Sequence, residues 1–238
     1  MRSQAGSLDL GWRFLALGGG IAFFTYLLTT IPARVQQLNL MRVISVPHSV
    51  LGGLVAKNLR ELFGVLDTYL GFVLALVATV YRFFGKTIDG EAYFGVSLLI
   101  VLAFSTMAQS LLALDGPSGF VRYQLMPVRG WQILLAKDLP LMAIAVLFTS
   151  LLAPLPALAG MFAALAVGHH PSVVKPRQQK RWRFAAGASL ETSILQIVLM
   201  LGAGTVVHRV NPLLLGVSAV AWALSLGFYG YVLDRERG

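Results

Sequence analysis

Long apolar runs separated by short polar or basic ones fill the chain, and their lengths predict helices that cross a membrane. Residues 11–31 form the first, 21 residues and so ~30 Å as a helix, enough to span a hydrocarbon core. It stops at Pro32. Residues 32–61 are polar and basic, with Arg34, Arg42, Lys57 and Arg60 against Glu61. Within them Pro47, His48 and Ser49 signal a helix start, and Leu51, Leu54, Val55, Leu59 and Leu62 recur at helical spacing with Lys57 and Arg60 on the other face. This predicts an amphipathic helix lying in the membrane interface.

Further spans are predicted over 62–84, with Asp67 near its start, and over 93–114. A polar stretch, 114–138, then interrupts the pattern with the sequence LDGPSGFVRYQLMPVRGWQILLAKD. It opens on a turn cluster containing Asp115, Gly116 and Gly119. A short segment bearing Phe120, Arg122, Tyr123 and Leu125 follows, then Pro127, Arg129 and a second helical start near Gly130. Residues 139–167 run 29 positions without a charge, long for one crossing and short for two. The loops on either side are basic, so both are expected on the cytoplasmic side, and an even number of crossings is required. A hairpin turning at Pro154 and Pro156 meets that condition, with its first arm starting near Trp131. Lys137 and Asp138 then fall at headgroup depth, where Lys137 can snorkel, and Pro140 kinks the arm. Spans over 190–207 and 212–232 complete seven, with the amino terminus outside and 14 of the 19 Lys and Arg inside.

Composition agrees with this pattern. The chain is 57% hydrophobic and 12% charged, about half the charge of a soluble protein, with a mean hydropathy of +0.74. The net charge of +9 reads as topology-setting loop charge, not as a nucleic-acid surface. The basic run 175–183 suits anionic headgroups at ~1 kcal/mol per residue. Zero cysteines exclude disulfides, thiolate ligands and a cysteine nucleophile. The amino-terminal run lacks a small-residue cleavage site and reads as an uncleaved span.

Candidate chemistry is sparse. Gly85, Lys86 and Thr87 look like the end of a phosphate-binding loop, but Val80 stands where the pattern needs glycine, so no ATPase site is expected in this chain. His169 and His170, with His48 and His208 elsewhere, lack carboxylates at ligand spacing and are assigned to interfacial packing, with no metal site expected. Asp67 and Glu191 lie near span starts and are expected to pair with Lys or Arg. No nucleophile-elbow arrangement of Ser, His and Asp is visible.

Taken in order, the basic lead-in AKNLRELFG, two spans, the 114–138 segment, an apolar hairpin, GHHPSVVKP and a closing pair of spans resemble the membrane subunits of type-2 ATP-binding cassette (ABC) exporters. The matching positions are Asp115, Gly116, Gly119, Tyr123, Pro127 and Lys137, together with Gly168, Ser172 and Pro176 in the second motif. The chain departs from the family in its shorter hairpin arms and in His169, which stands where asparagine is usual. The resemblance covers 56–232. It implies an all-α, polytopic membrane protein with an extra span (1–31), a cytoplasmic amphipathic lead-in (32–61) bearing Lys57, Arg60 and Glu61, and a six-span permease core (62–238). It also implies a bacterial inner membrane, a second permease core and a separate cytoplasmic ATPase, which carries the ATP and Mg. Phe120, Tyr123, Leu125 and Met126 are the expected docking anchors, and Arg122 and Arg129 the expected partners of acidic residues on the ATPase. Lipid-modifying enzyme and non-transporting accessory subunit are the alternatives.

Overall fold

The computed structural model describes residues 49–84, 90–115, 122–123, 125–174, 185 and 189–237. The expected first span, Gly116, Gly119, Phe120, Pro176 and the basic run 175–183 lie outside them. Among the described residues there are seven α-helices: α1 Val50–Leu62, α2 Leu66–Phe84, α3 Gly90–Gln109, α4 Gly130–Thr149, α5 Pro154–Val174, α6 Leu190–Arg209 and α7 Leu215–Arg237. All but α1 are long and apolar enough to cross a membrane. The chain is therefore an all-α, polytopic integral membrane protein.

Local chemistry sets the helix ends. Ser49 caps α1 by accepting from the Gly52 amide (3.0 Å), Ser189 caps α6 through the Thr192 amide (3.2 Å), and Asn211 accepts from the Leu213 amide (2.8 Å) ahead of α7. The first core span begins at Leu66 and not at residue 62, because the chain turns between α1 and α2. The Gly64 amide donates to the Glu61 carbonyl there, and the Thr68 hydroxyl to the Leu62 carbonyl. The next span ends at Gln109, five residues early, and residues 110–115 close in tight turns ending in the 3-10 element Ala113–Asp115.

Two sets of helix ends are stitched separately. At one face Arg82 donates to the Leu151 carbonyl in the α4–α5 hairpin, and Arg209 pairs with Glu91 at 2.7 Å. At the other, the Gly130 amide donates to Asp234 (2.6 Å) and the Leu112 amide to the Ser172 hydroxyl (3.2 Å). Those pairings require the six long helices to alternate in direction. The predicted hairpin, with its turn just before Pro154, is borne out.

α5 is the central helix, packed against α6, α7 and α3, while α1 packs on α4. The membrane-level core gathers Ile100, Phe104, Met107, Leu141, Met161 and Met200; a second cluster around Leu54, Tyr123, Leu134 and Val173 fills the α1 end. Lipid tails are as apolar as these side chains, so close helix contact and polar bonds hold the bundle. Gln196 of α6 illustrates the second device: its amide donates to the Ser105 carbonyl (2.9 Å) and to the Ala164 carbonyl (2.7 Å) while accepting from Gln109. Gly130 and Gly230 illustrate the first. A Cβ on Gly130 would sit 2.2 Å from the Gly230 carbonyl oxygen, and one on Gly230 would sit 2.6 Å from the Trp131 backbone.

Gly130→Leu is expected to force α4 from α7 and to lower the melting temperature in detergent, an overpacking cost of about 1–3 kcal/mol. Gly202→Ala, where a Cβ meets open space, is expected to leave it unchanged.

Candidate functional site

The polar stretch that interrupts the apolar pattern converges on one buried carboxylate. Asp115, in the 3-10 turn after α3, has a side chain only 1% exposed. Its Oδ1 accepts from Lys57 of α1 at 2.5 Å, and its Oδ2 from Lys137 of α4 at 2.7 Å and from the Tyr123 hydroxyl at 2.8 Å. Glu61, one turn beyond Lys57, stands 3.5 Å from the same ammonium. Three separate pieces of chain are thereby tied to one side chain. Both ammonium groups also lie over the Tyr123 ring, at 5.5 and 6.0 Å from its centroid.

The electrostatics follow from that crowding. Burial alone disfavours the Asp115 carboxylate, but the Lys137 and Lys57 ammonium groups outweigh it and hold its carboxyl below the usual carboxylate range. Glu61 goes the other way: burial first, then the Asp115 charge, push its carboxyl up, and its Oε2 has no hydrogen-bond partner. Burial and Asp115 together push the Tyr123 phenol up, so it stays a donor.

Pro140 connects this cluster to the backbone of α4. Proline lacks the amide that would bond the carbonyl four residues back, which leaves the Ala136 carbonyl open. The Asn58 amide of α1 fills the gap, donating to that oxygen at 2.9 Å, and its own Oδ1 accepts from Lys137 at 3.3 Å. α1 therefore grips α4 at the one place where α4's hydrogen-bond ladder is broken.

One helical step onward lies a second polar group. Asp138 Oδ2 accepts from the Trp222 indole at 2.7 Å and faces His169 Nε2 at 3.0 Å, while His169 Nδ1 faces the Ser225 hydroxyl at 2.9 Å. The Ser225 hydroxyl donates onward to the Ala166 carbonyl at 2.7 Å. Asp138 and His169 are both fully buried.

Several expectations change. Lys137 and Asp138 are sealed inside the protein, so Lys137 does not snorkel to water: Asp115 and the α4–α5–α7 contact supply the partners that water would otherwise supply. Tyr123, expected as a docking anchor, is buried with its hydroxyl turned to Asp115, whereas Leu125 is exposed. Lys57 turns inward to Asp115 instead of standing on a solvated face, and Arg60 is exposed. His169 makes specific hydrogen bonds instead of interfacial packing contacts, and Asp67 accepts from the Ala185 amide at 2.6 Å. Arg122, Pro127, Arg129 and Glu191 are exposed. Gly168 lets α5 approach α3 where a Cβ would lie 2.5 Å from the Ala108 carbonyl oxygen, and Ser172 receives the Leu112 amide. Asn58, Trp222 and Ser225 were not singled out from the sequence: Asn58 sits among the charges of α1 and the other two in an apolar helix, and nothing near any of them in the chain marks its partner. Among the described residues no group of His, Asp and Glu could hold a metal ion.

Comparison with protein families, with curated proteins and with solved structures finds no match to this chain.

Removing one partner from a buried ion pair costs about 3–5 kcal/mol, whereas replacing both by apolar groups is often tolerated. Asp115→Leu and Lys137→Met are each expected to destabilise strongly, and the double variant to lose less than the sum by more than ~1 kcal/mol in thermal or denaturant unfolding. Additive losses would contradict a direct pairing. Glu61 offers a separate check. Its folded carboxyl titrates above the unfolded value of about 4.3, so its contribution favours the fold below that value and is lost as pH rises through the raised one. Asp115 has the opposite sign: its contribution is present above the ordinary ~3.9 and lost as pH falls through its depressed value. Glu61→Gln is therefore expected to raise the melting temperature at neutral pH while leaving acid unfolding as it was, measured across a pH series.

Proposed function

We propose that this chain is the membrane-spanning subunit of an ATP-driven exporter in a bacterial inner membrane, paired with a second permease core and powered by a separate cytoplasmic ATPase. The observation that carries the reading is the Asp115 cluster. A subunit driven from outside the membrane needs a stiff path from its surface to its spans, and Asp115 supplies one by locking α1, the segment after α3 and the start of α4 together. The same segment leaves Arg122, Leu125, Pro127 and Arg129 outside. An apolar anchor among cations suits a partner groove with an acidic rim. The ordered motifs of the sequence give the partner its identity, and the basic loops put this face in the cytoplasm.

In this mechanism the ATPase closes on ATP and displaces the docked segment. Asp115 passes the displacement to Lys137, and α4 tilts as a lever about the Pro140 interruption, where Asn58 keeps its backbone satisfied. The pathway forms between paired cores, and the chemistry of ATP hydrolysis stays on the partner.

A second reading, an enzyme acting on lipid, has one observation in its favour, the Asp138, His169 and Ser225 alignment. Its weakness is that the Ser225 hydrogen is committed to the Ala166 carbonyl, so His169 Nδ1 faces a serine lone pair and not a proton to abstract.

The test is reconstitution of the full chain with candidate ATPase subunits. Arg122→Glu with Leu125→Ser is expected to abolish association, and the double variant Asp115→Leu with Lys137→Met, which removes both charges of the pair, to keep association while ATP-driven transport falls at least tenfold. Unchanged transport in both would refute the coupling role. Labelling of Ser225 by a fluorophosphonate would favour the enzyme instead.

A further inference from the structure

The Asp138–His169 pair is a second buried ionisable group in the bundle, one residue beyond Lys137 on α4. Asp138 is the ninth residue of α4 and so lies ~12 Å along the helix from its first residue, inside a helix long and apolar enough to cross a membrane. An ionisable group there needs a partner or a function.

Counting hydrogens defines what the group holds. The Ser225 hydroxyl has one hydrogen and gives it to the Ala166 carbonyl, so at the 2.9 Å contact with His169 it can only accept, and Nδ1 must carry a hydrogen. Trp222 donates to Asp138 Oδ2 and cannot accept. The remaining gap, 3.0 Å between Oδ2 and His169 Nε2, requires one further proton, on one atom or the other. With it the pair is neutral overall. Without it a carboxylate oxygen faces a nitrogen lone pair, and Asp138 Oδ1, buried with no partner, bears part of an uncompensated charge.

We propose that Asp138 and His169 form a binding site for a single proton inside the membrane, and that its occupancy holds α7 to α4 and α5. When the proton leaves, the pair has two options. Retaining Nδ1–H leaves the lone-pair clash with Asp138. Moving that hydrogen to Nε2 restores the Asp138 bond but leaves Nδ1 facing the Ser225 oxygen, which must then abandon the Ala166 carbonyl to donate. Either way one bond between helices is lost. α7 responds most, because Trp222 and Ser225 are its polar ties in the middle of the bundle and most of its other surface is exposed.

Other titratable groups on the neighbouring helices are engaged elsewhere. On α4, Lys137 turns to Asp115; on α5, His170 bonds the Tyr229 hydroxyl at 3.1 Å. Tyr229 of α7 stands with its ring 6.4 Å from that of His169 and belongs to the local environment, while Asp234 receives the Gly130 amide and Arg235 and Glu236 sit at the helix end. α3 carries Glu91 at its far end, paired with Arg209 of α6, near His208; Glu191 lies at the opposite end of α6. On α2, Asp67 receives the Ala185 amide and Arg82 reaches Leu151, and the charges of α1 are grouped around Asp115 or exposed.

The experiment is nitrogen NMR of ¹⁵N-histidine-labelled full-length protein in lipid nanodiscs, titrated over the pH range in which it stays folded. The His169 signals, identified by their loss in His169→Gln, are expected to pass reversibly between two states, with amide exchange in α7 several-fold faster in the deprotonated one. Asp138→Asn, which cannot hold the proton, is expected to abolish the transition, and Glu91→Gln to leave it intact. Should Asp138→Asn fail to fold, Ser225→Ala decides: freed from the serine, the neutral ring is expected to move its hydrogen to Nε2. His169 signals that do not move with pH, an Asp138→Asn titration like the parent's, or a neutral ring in Ser225→Ala that keeps its hydrogen on Nδ1 would each overturn the site. The proposal stands apart from the exporter reading, since none of these readouts needs an ATPase.

Discussion

A carboxylate withdrawn from water beside a membrane must be matched on every side, and Asp115 shows what that demands. Two ammonium groups and a phenol converge on it from helices and turns far apart in the chain. Each contributor is placed by ordinary packing: α1 lies on α4 with Leu54 clustered with Ile133, Leu134 and Ala136, and Tyr123 is embedded among Leu112, Leu134 and Val173. Remove the carboxylate and two cations face one another in an apolar setting. The cluster therefore does more than stabilise. It obliges α1, the segment after α3 and the root of α4 to move as one body.

That constraint is joined to a weak point. Pro140 interrupts the ladder of α4 one turn beyond Lys137, and Asn58 repairs it from α1. A helix gripped below its interruption and packed closely above it has one natural place to bend. Just beyond Lys137, Asp138 binds His169 and Trp222, so the residue pair Lys137–Asp138 sends one charge toward the surface assembly and the other into the bundle. Motion of α4 moves both groups together.

The order of the six described spans was legible from apolar run length, and the hairpin from the basic loops flanking it, because burying backbone in lipid permits few alternatives. The cap residue Ser49 was legible from the local helix-start signal around Pro47. The site was legible only in part. Asp115, Lys57 and Lys137 stood out as charges in an apolar chain, but Lys57 and Asp115 lie 58 residues apart, and no local pattern says which cation meets which carboxylate. Lys137 and Asp138 looked like headgroup residues because adjacency to a loop is visible in sequence and enclosure by α1 and α7 is not. Ser225 and Asn58 carried no signal at all: their roles come from carbonyls on other helices, at Ala166 and Ala136.

The central claim is mechanical, that Asp115 makes α1 and the segment after α3 one rigid unit. The chain has no cysteine, so two can be introduced and spin-labelled, at Val50 on α1 and Leu125 on the segment, which are 56% and 81% exposed. Electron–electron resonance in nanodiscs should give one narrow distance distribution that broadens markedly in Asp115→Ala while the spans remain folded. A distribution equally narrow without the carboxylate would contradict the account.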